Sequence, residues 1–89
     1  MEFTFLYHSM QWSPNCDLAG NDITITIVTA GNISYCLTAC KSNGNCNHVT
    51  YAPNSLAGYP SGNCWFKYKN GILASNANLF INLYCGIIY

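Results

Sequence analysis

The sequence predicts a small α+β domain held together by disulfide bonds, and three observations carry that prediction. Six cysteines sit in a chain of 89 residues. Residues 23–29 alternate Ile23, Ile25 and Ile27 with Thr24, Thr26 and Val28, the period of a strand with one face buried. Residues 32–42 carry the apolar spacing of a helix. A chain this short buries only a little over half of its unfolded surface, so its core alone leaves a thin stability margin and covalent staples are the usual remedy. Six cysteines in such a chain point to an oxidising, extracellular compartment.

The elements follow in order along the chain. Phe3, Phe5 and Tyr7 alternate with Glu2, Thr4 and Leu6, which predicts an extra strand over residues 2–8. After the strand at 23–29, Asn32 can accept from the free NH groups of a first helical turn. The helix then runs to about Ser42, where Asn43-Gly44 is the predicted left-handed stop. Ile33, Cys36, Leu37 and Cys40 share one of its faces. Strands are predicted at 48–52 and 64–69, and Asn70-Gly71 is the strongest two-residue hairpin signal, leading to a return strand at 72–74. The last predicted strand is 79–85. Residues 53–63, rich in Gly, Ser, Pro and Asn, form the one long loop. No repeat or linker divides the chain, so one domain is expected, with 1–11 as an apolar amino-terminal arm and 86–89 as an apolar carboxy-terminal tail.

Composition removes several function classes. Asp, Glu, Lys and Arg make up 7% of the chain against 51% apolar residues, far below the roughly 25% charged residues of an ordinary soluble domain. With three lysines, no arginine and a formal net charge of zero, there is no basic field to displace counterions from phosphates, which excludes nucleic acid as a partner. The longest nearly apolar stretch, 79–89, is shorter than the roughly 20 residues that span a bilayer and is interrupted by Asn82, so no transmembrane segment is expected. The first ten residues carry Glu2 and no positive charge before their apolar positions, unlike a secretory signal, so the expectation is a mature chain.

Catalysis fails on inventory. Three carboxylates are present, and Asp17 and Asp22 fit turn closure around Gly20 better than an acid–base pair. Cys46 with His48 could be drawn as nucleophile and base, or joined to Cys36 and Cys40 as zinc ligands, but the even cysteine count favours disulfides. No enzyme activity, metal or cofactor is expected, and His8 reads as an ordinary surface or packing histidine.

Cys36 and Cys40 one helical turn apart, Cys46 at a strand entry, Tyr51, the run Cys64-Trp65-Phe66-Lys67 and the opening Cys16-Asp17-Leu18-Ala19-Gly20-Asn21-Asp22 occur in an order that resembles the PAN/apple family. The resemblance covers about residues 12–85. It implies one α-helix packed on a curved antiparallel β-sheet, a role in protein or carbohydrate recognition, and bridges Cys36–Cys64, Cys40–Cys46 and Cys16–Cys85. Spacing alone leaves the pairing open, although Cys36 and Cys40 face the same sheet. In the loop-entropy account each bridge constrains the unfolded chain by about 2 to 4.5 kcal/mol.

With Cys64 turned to the helix, Phe66 shares its face while Trp65 and Lys67 point away, and the neighbouring strand sends Val49 and Tyr51 inward and His48 and Thr50 outward. His48, Thr50, Trp65 and Lys67 are therefore candidate ligand-binding residues on an outer patch, with Tyr59 of the long loop as a second aromatic wall. The competing reading covers Trp65 with the 53–63 loop as a satellite core. Asn32-Ile33-Ser34 is the single acceptor sequence for N-glycosylation, so Asn32 is a cap, a glycan anchor or both. Phe3, Phe5, Tyr7, Ile87, Ile88 and Tyr89 are candidates for self-association, because apolar tails either dock on their own domain or add to the sheet edge of another copy. The expected role is an extracellular adhesion or structural protein that self-associates into a fibre or layer. The alternative is a monomeric carbohydrate- or protein-binding module using the Trp65 face.

Overall fold

The computed structural model describes residues 2–7, 9–27, 33–53 and 62–89. Among these, six strands form one antiparallel sheet: β1 (Thr4–Tyr7), β2 (Met10–Asp17), β3 (Asp22–Ile27), β4 (His48–Ala52), β5 (Asn63–Lys67) and β6 (Asn78–Ile88). Their order across the sheet is β1-β2-β6-β4-β5-β3, which leaves β1 and β3 at the edges. A single helix, α1 (Ile33–Ser42), packs over β4 and β6, giving the one-helix, antiparallel-sheet α+β architecture anticipated from the sequence.

The helix forms because Ile33, Cys36, Leu37 and Cys40 fall at the i, i+3, i+4, i+7 spacing, and all four are buried. They meet Met10, Val49, Tyr51, Cys64 and Phe66 from the sheet. The approach is close at Gly86 of β6, where a Cβ would lie 2.8 Å from Leu37 Cδ2 and 3.1 Å from the Gln11 carbonyl oxygen. Cys36–Cys64 ties the helix to β5, Cys40–Cys46 ties its last turn to the entry of β4, and Cys16–Cys85 ties β2 to β6. The opposite face of the sheet is covered too, with Leu18 and Ile72 packed against Cys16, Cys85 and Ile87.

Several elements depart from the sequence reading. The helix ends without a left-handed residue, since neither Asn43 nor Gly44 has a positive φ. Asn43 stops it locally instead: its NH donates to the Cys40 carbonyl at 3.0 Å and its side chain accepts from Asn45 N at 3.1 Å. Asn70-Gly71 does make a turn, with Gly71 at φ 78° and Ile72 N donating to Lys69 O at 3.2 Å, but no hairpin follows. Both sides of β5 are already taken by β3 and β4, so 72–74 cannot pair with it. The chain crosses the outer face instead, burying Ile72 and making a short 3₁₀ turn at Ala74–Asn76.

The two ends of the chain are part of the sheet. β2, which carries Pro14 and Asn15 and gave no strand signal, lies between β1 and β6. β1 pairs with β2 of the same chain, Phe5 opposite Gln11, and β6 runs through Cys85 to Ile88. Ile87 is fully buried in the core, which removes it as a self-association residue, while Phe3 and Ile88 pack against the two core clusters. Phe5 and Tyr89 remain exposed, the Tyr89 hydroxyl donating to Gln11 Oε1 at 2.7 Å. Between the pairs Pro14↔Tyr84 and Cys16↔Leu79, β6 advances from 84 to 79 while β2 advances only from 14 to 16. The surplus residues of β6 bulge outward, with Asn15 at φ 58° and Asn82 at φ 74° absorbing the bend and Asn82 N donating to Asn15 Oδ1 at 3.1 Å.

Gly86→Ala is predicted to destabilise the domain by about 1 to 3 kcal/mol, because Leu37 and the helix above it must shift to admit the methyl group. Urea unfolding with disulfides intact measures it as a lower midpoint at unchanged slope.

Candidate functional site

The face of the sheet away from the helix carries a row of buried polar side chains: Ser13, His48, Thr50, Asn63 and Lys67. Alternation places them there, since Val49 and Tyr51 of β4, Cys64 and Phe66 of β5, and Met10 and Trp12 of β2 belong to the helix-side core. The predicted grouping of His48, Thr50, Trp65 and Lys67 on one face thus exists, but as a floor and not as an open patch: His48 is fully buried and Lys67 is 4% exposed. The segment after β2 and the crossing at Ile72 roof this face.

A cleft of about 410 Å³ opens in that roof, lined among others by Asp17, Asp22, Thr50, Trp65, Lys67 and Phe80. Gly20 at φ 80° and Asn21 at φ 63° turn the chain between β2 and β3 and set Asp17 and Asp22 on the same cleft. Lys67 Nζ donates to Asp22 Oδ1 at 2.6 Å and to the Gly20 carbonyl oxygen at 3.1 Å, an ion pair whose ammonium is buried and whose carboxylate is open to solvent. The Thr50 hydroxyl donates to Asp17 Oδ1 at 2.6 Å and accepts from Leu18 N at 3.4 Å. The Asp17 carboxylate is thereby held in one orientation by a buried residue. Phe80 comes from the β6 bulge, which explains why a strand residue 52% exposed forms an apolar wall.

His48 lies beneath this site and does not line it. Its Nδ1 is 2.7 Å from Asn47 Oδ1, which also accepts from Lys69 N at 3.2 Å, while Asn47 Nδ2 donates to Lys69 O at 2.8 Å. Asn47 Oδ1 is therefore the acceptor and His48 Nδ1 the donor. Nε2 is left with its lone pair, buried and without a hydrogen-bond partner. Burial first, and then the nearby Lys67 ammonium, push the His48 pKa down from 6.5 to about 4.

A second cleft of about 340 Å³ opens on the helix side beside Trp12, Tyr51 and Tyr84. The Tyr84 ring centroid lies 6.1 Å from those of both Trp12 and Tyr51. Tyr51 is buried against Gly62, where a Cβ would sit 2.6 Å from its hydroxyl, and burial raises the pKa of that phenol. Asn32, Tyr59 and His8 lie outside the described residues. All six cysteines are in disulfides, so Cys46 offers no thiol to His48. Among the described residues no group of three or more His, Cys, Asp or Glu is placed to hold a metal ion, and no helix is long and apolar enough to cross a membrane.

Sequence reasoning missed Asp17, Asp22 and Phe80 as cleft residues. The two aspartates read as turn closers around Gly20, whereas their carboxylates accept from the Thr50 hydroxyl and the Lys67 ammonium of the sheet. The signal for Phe80 was its place near Asn82, a residue that readily takes the left-handed conformation a bulge requires.

The family model of the PAN domain matches residues 16–67. The chain belongs to the PAN domain family. PAN domains are generally non-catalytic modules that mediate protein or carbohydrate interactions, and a PAN domain with three disulfides is typical of extracellular proteins. The matched span of the PAN domain contains Asp17, Asp22, Thr50, Trp65 and Lys67, whereas Phe80 lies beyond it. Comparison with curated proteins and with solved structures found no match.

The buried imidazole gives this PAN domain a predicted acid sensitivity. The unfolded chain takes up a proton on His48 near pH 6.5, whereas the folded protein resists it until about pH 4. The contribution to stability is complete above pH 6.5 and falls by about 1 kcal/mol per pH unit as pH drops toward 4. Unfolding free energies from pH 7.5 to 4 in the wild type and in His48→Gln measure it, and the variant is predicted to show the shallower slope.

Proposed function

We propose that this chain is a non-enzymatic extracellular adhesion module that takes a protein or carbohydrate ligand in the outer-face cleft. The observation that carries this reading is the joining, in one cleft of about 410 Å³, of two aromatic walls with a carboxylate oriented by a buried hydroxyl. A concave site of a few hundred Å³, mostly apolar with a small number of placed polar groups, has the character of a ligand pocket. Trp65 and Phe80 offer faces for a sugar ring or an apolar side chain, and Asp17, Thr50 and Lys67 supply hydrogen-bonding groups around them. Of the sequence candidates, Thr50, Trp65 and Lys67 stay in this reading, and His48 supports the floor from below.

A second reading, self-association into a fibre or layer, is favoured by a different observation. Leu79, Phe80 and Ile81 are 71%, 52% and 60% exposed, an apolar ridge on the β6 bulge. Edge strand β3 also presents Ile23 and Ile25 to solvent, and edge strand β1 presents Phe5. Contiguous apolar exposure beside unpaired edges is a recognised route to strand addition between copies. In this reading the contacts come from Phe5, Tyr89, the ridge and the edges, with Tyr7 at the β1 edge.

The first reading predicts that a glycan array and a panel of blocked amino acids, followed by ¹H–¹⁵N correlation spectra of the disulfide-intact protein, give shifts clustered at Thr50, Trp65 and Phe80. Those shifts are lost in Trp65→Ala and in Phe80→Ala, the latter chosen because its exposed ring can be removed without opening the core. Ligand-induced shifts confined to other surfaces would count against the cleft. Sedimentation velocity over a hundredfold concentration range separates the second reading. Growth beyond monomer that disappears in Leu79→Thr/Ile81→Thr supports self-association, and an invariant monomer removes it.

A further inference from the structure

We infer that the outer-face cleft selects a lysine side chain of a partner protein, with its ammonium received by Asp17 and its methylene stem against Trp65 and Phe80. This rests on the cleft being the ligand site and goes further by naming what enters it. The charges that line the cleft are two carboxylates and one ammonium, so its net charge is negative. Lys67 does not offset all of it, because its ammonium is held by Asp22 and by the Gly20 carbonyl oxygen. Among the described residues Asp17 has no ion-pair partner, and Lys41 bonds to Ser9 away from the cleft. Asp17 is also only half-exposed, so its charge is less screened than one on an open surface and draws a cation more strongly.

The hydrogen bonds around Asp17 narrow the choice between cations. Oδ1 already accepts from the Thr50 hydroxyl, and Thr50 is itself pinned by the Leu18 NH. Among the described residues no hydrogen bond reaches the other carboxylate oxygen. An arginine fork is matched best by two oxygens side by side, whereas a lysine ammonium is a compact charge that needs one strong acceptor. The walls supply the remainder: an aromatic face attracts an ammonium, and apolar side chains cover a four-carbon stem. An anionic ligand would meet net negative charge, and a neutral sugar would leave the Asp17 charge uncompensated.

The test uses the full, disulfide-intact chain and Nα-acetyl-lysine N-methylamide, titrated by ¹H–¹⁵N correlation spectroscopy. The blocked norleucine, blocked arginine and a methyl glycoside serve as the comparison ligands. Shifts at Thr50, Trp65 and Phe80 are expected with the lysine probe, and removal of the ammonium in the norleucine probe should weaken binding by at least about tenfold. Asp17→Asn, which keeps an acceptor for Thr50, should cause a similar loss for the lysine probe and leave the norleucine probe unchanged. Equal binding of lysine and norleucine probes, tighter binding of arginine, or occupation by the methyl glycoside alone would overturn the lysine assignment while leaving the cleft as the ligand site. No shift in the cleft with any probe would overturn both.

Discussion

The bond between Cys36 and Cys64 decides which side of the sheet is which. A strand residue has two choices of face, and fixing Cys64 against the helix settles the choice for all of β5 and, through pairing, for β4 and β6. Val49, Tyr51, Phe66 and Gly86 then lie under α1, and Thr50, Trp65 and Lys67 lie on the far side. A slip of one residue would exchange these sets, placing a lysine and a histidine under the helix. Few charges elsewhere in the chain oppose such an error, so the covalent tie carries much of the specificity that charge patterning supplies in more polar domains.

The far side shows how the domain handles polarity in a small volume. Lys67 is buried but paired with Asp22 and a backbone oxygen, and Thr50 is buried but bonded both ways. His48 stays neutral and leaves Nε2 unsatisfied, a cost that buried polar atoms seldom carry. The outer-face cleft is built on this layer, with Thr50 and Lys67 belonging to both. The order of the cleft therefore comes from the sheet, which also supplies the Trp65 wall from β5, while the Phe80 wall comes from the bulge.

Most of the frame was legible in the sequence because it depends on period. The four apolar positions of α1 and the alternation in β4 and β5 state their own geometry, and the inward set Val49, Tyr51, Cys64 and Phe66 follows from them. The alternation in β3 marks the strand but not its burial: Ile23 and Ile25, read as a buried face, are 45% and 39% exposed because β3 lies at the edge of the sheet. What escaped depends on partners instead. β2 carries Pro14 and Asn15 and no clean alternation, and it is a strand because β1 and β6 flank it. Asn70-Gly71 has the chemistry of a hairpin, but the strand beside it has no free side. Thr50, Trp65 and Lys67 were legible as one face of a sheet, whereas Asp17 and Phe80 reach the same cleft only through a turn and a bulge whose shape is a tertiary property.

The Cys16–Cys85 bridge spans 69 positions in sequence and sits beside both of those late-arriving walls: Asp17 follows Cys16, and the bulge bearing Phe80 precedes Cys85. In the loop-entropy account the constraint on the unfolded chain grows with the loop that is closed, so this bridge restricts it most of the three. It does so on the face opposite the helix, which the other two bridges do not reach, so the longest covalent loop of the domain holds together the two segments that flank the cleft.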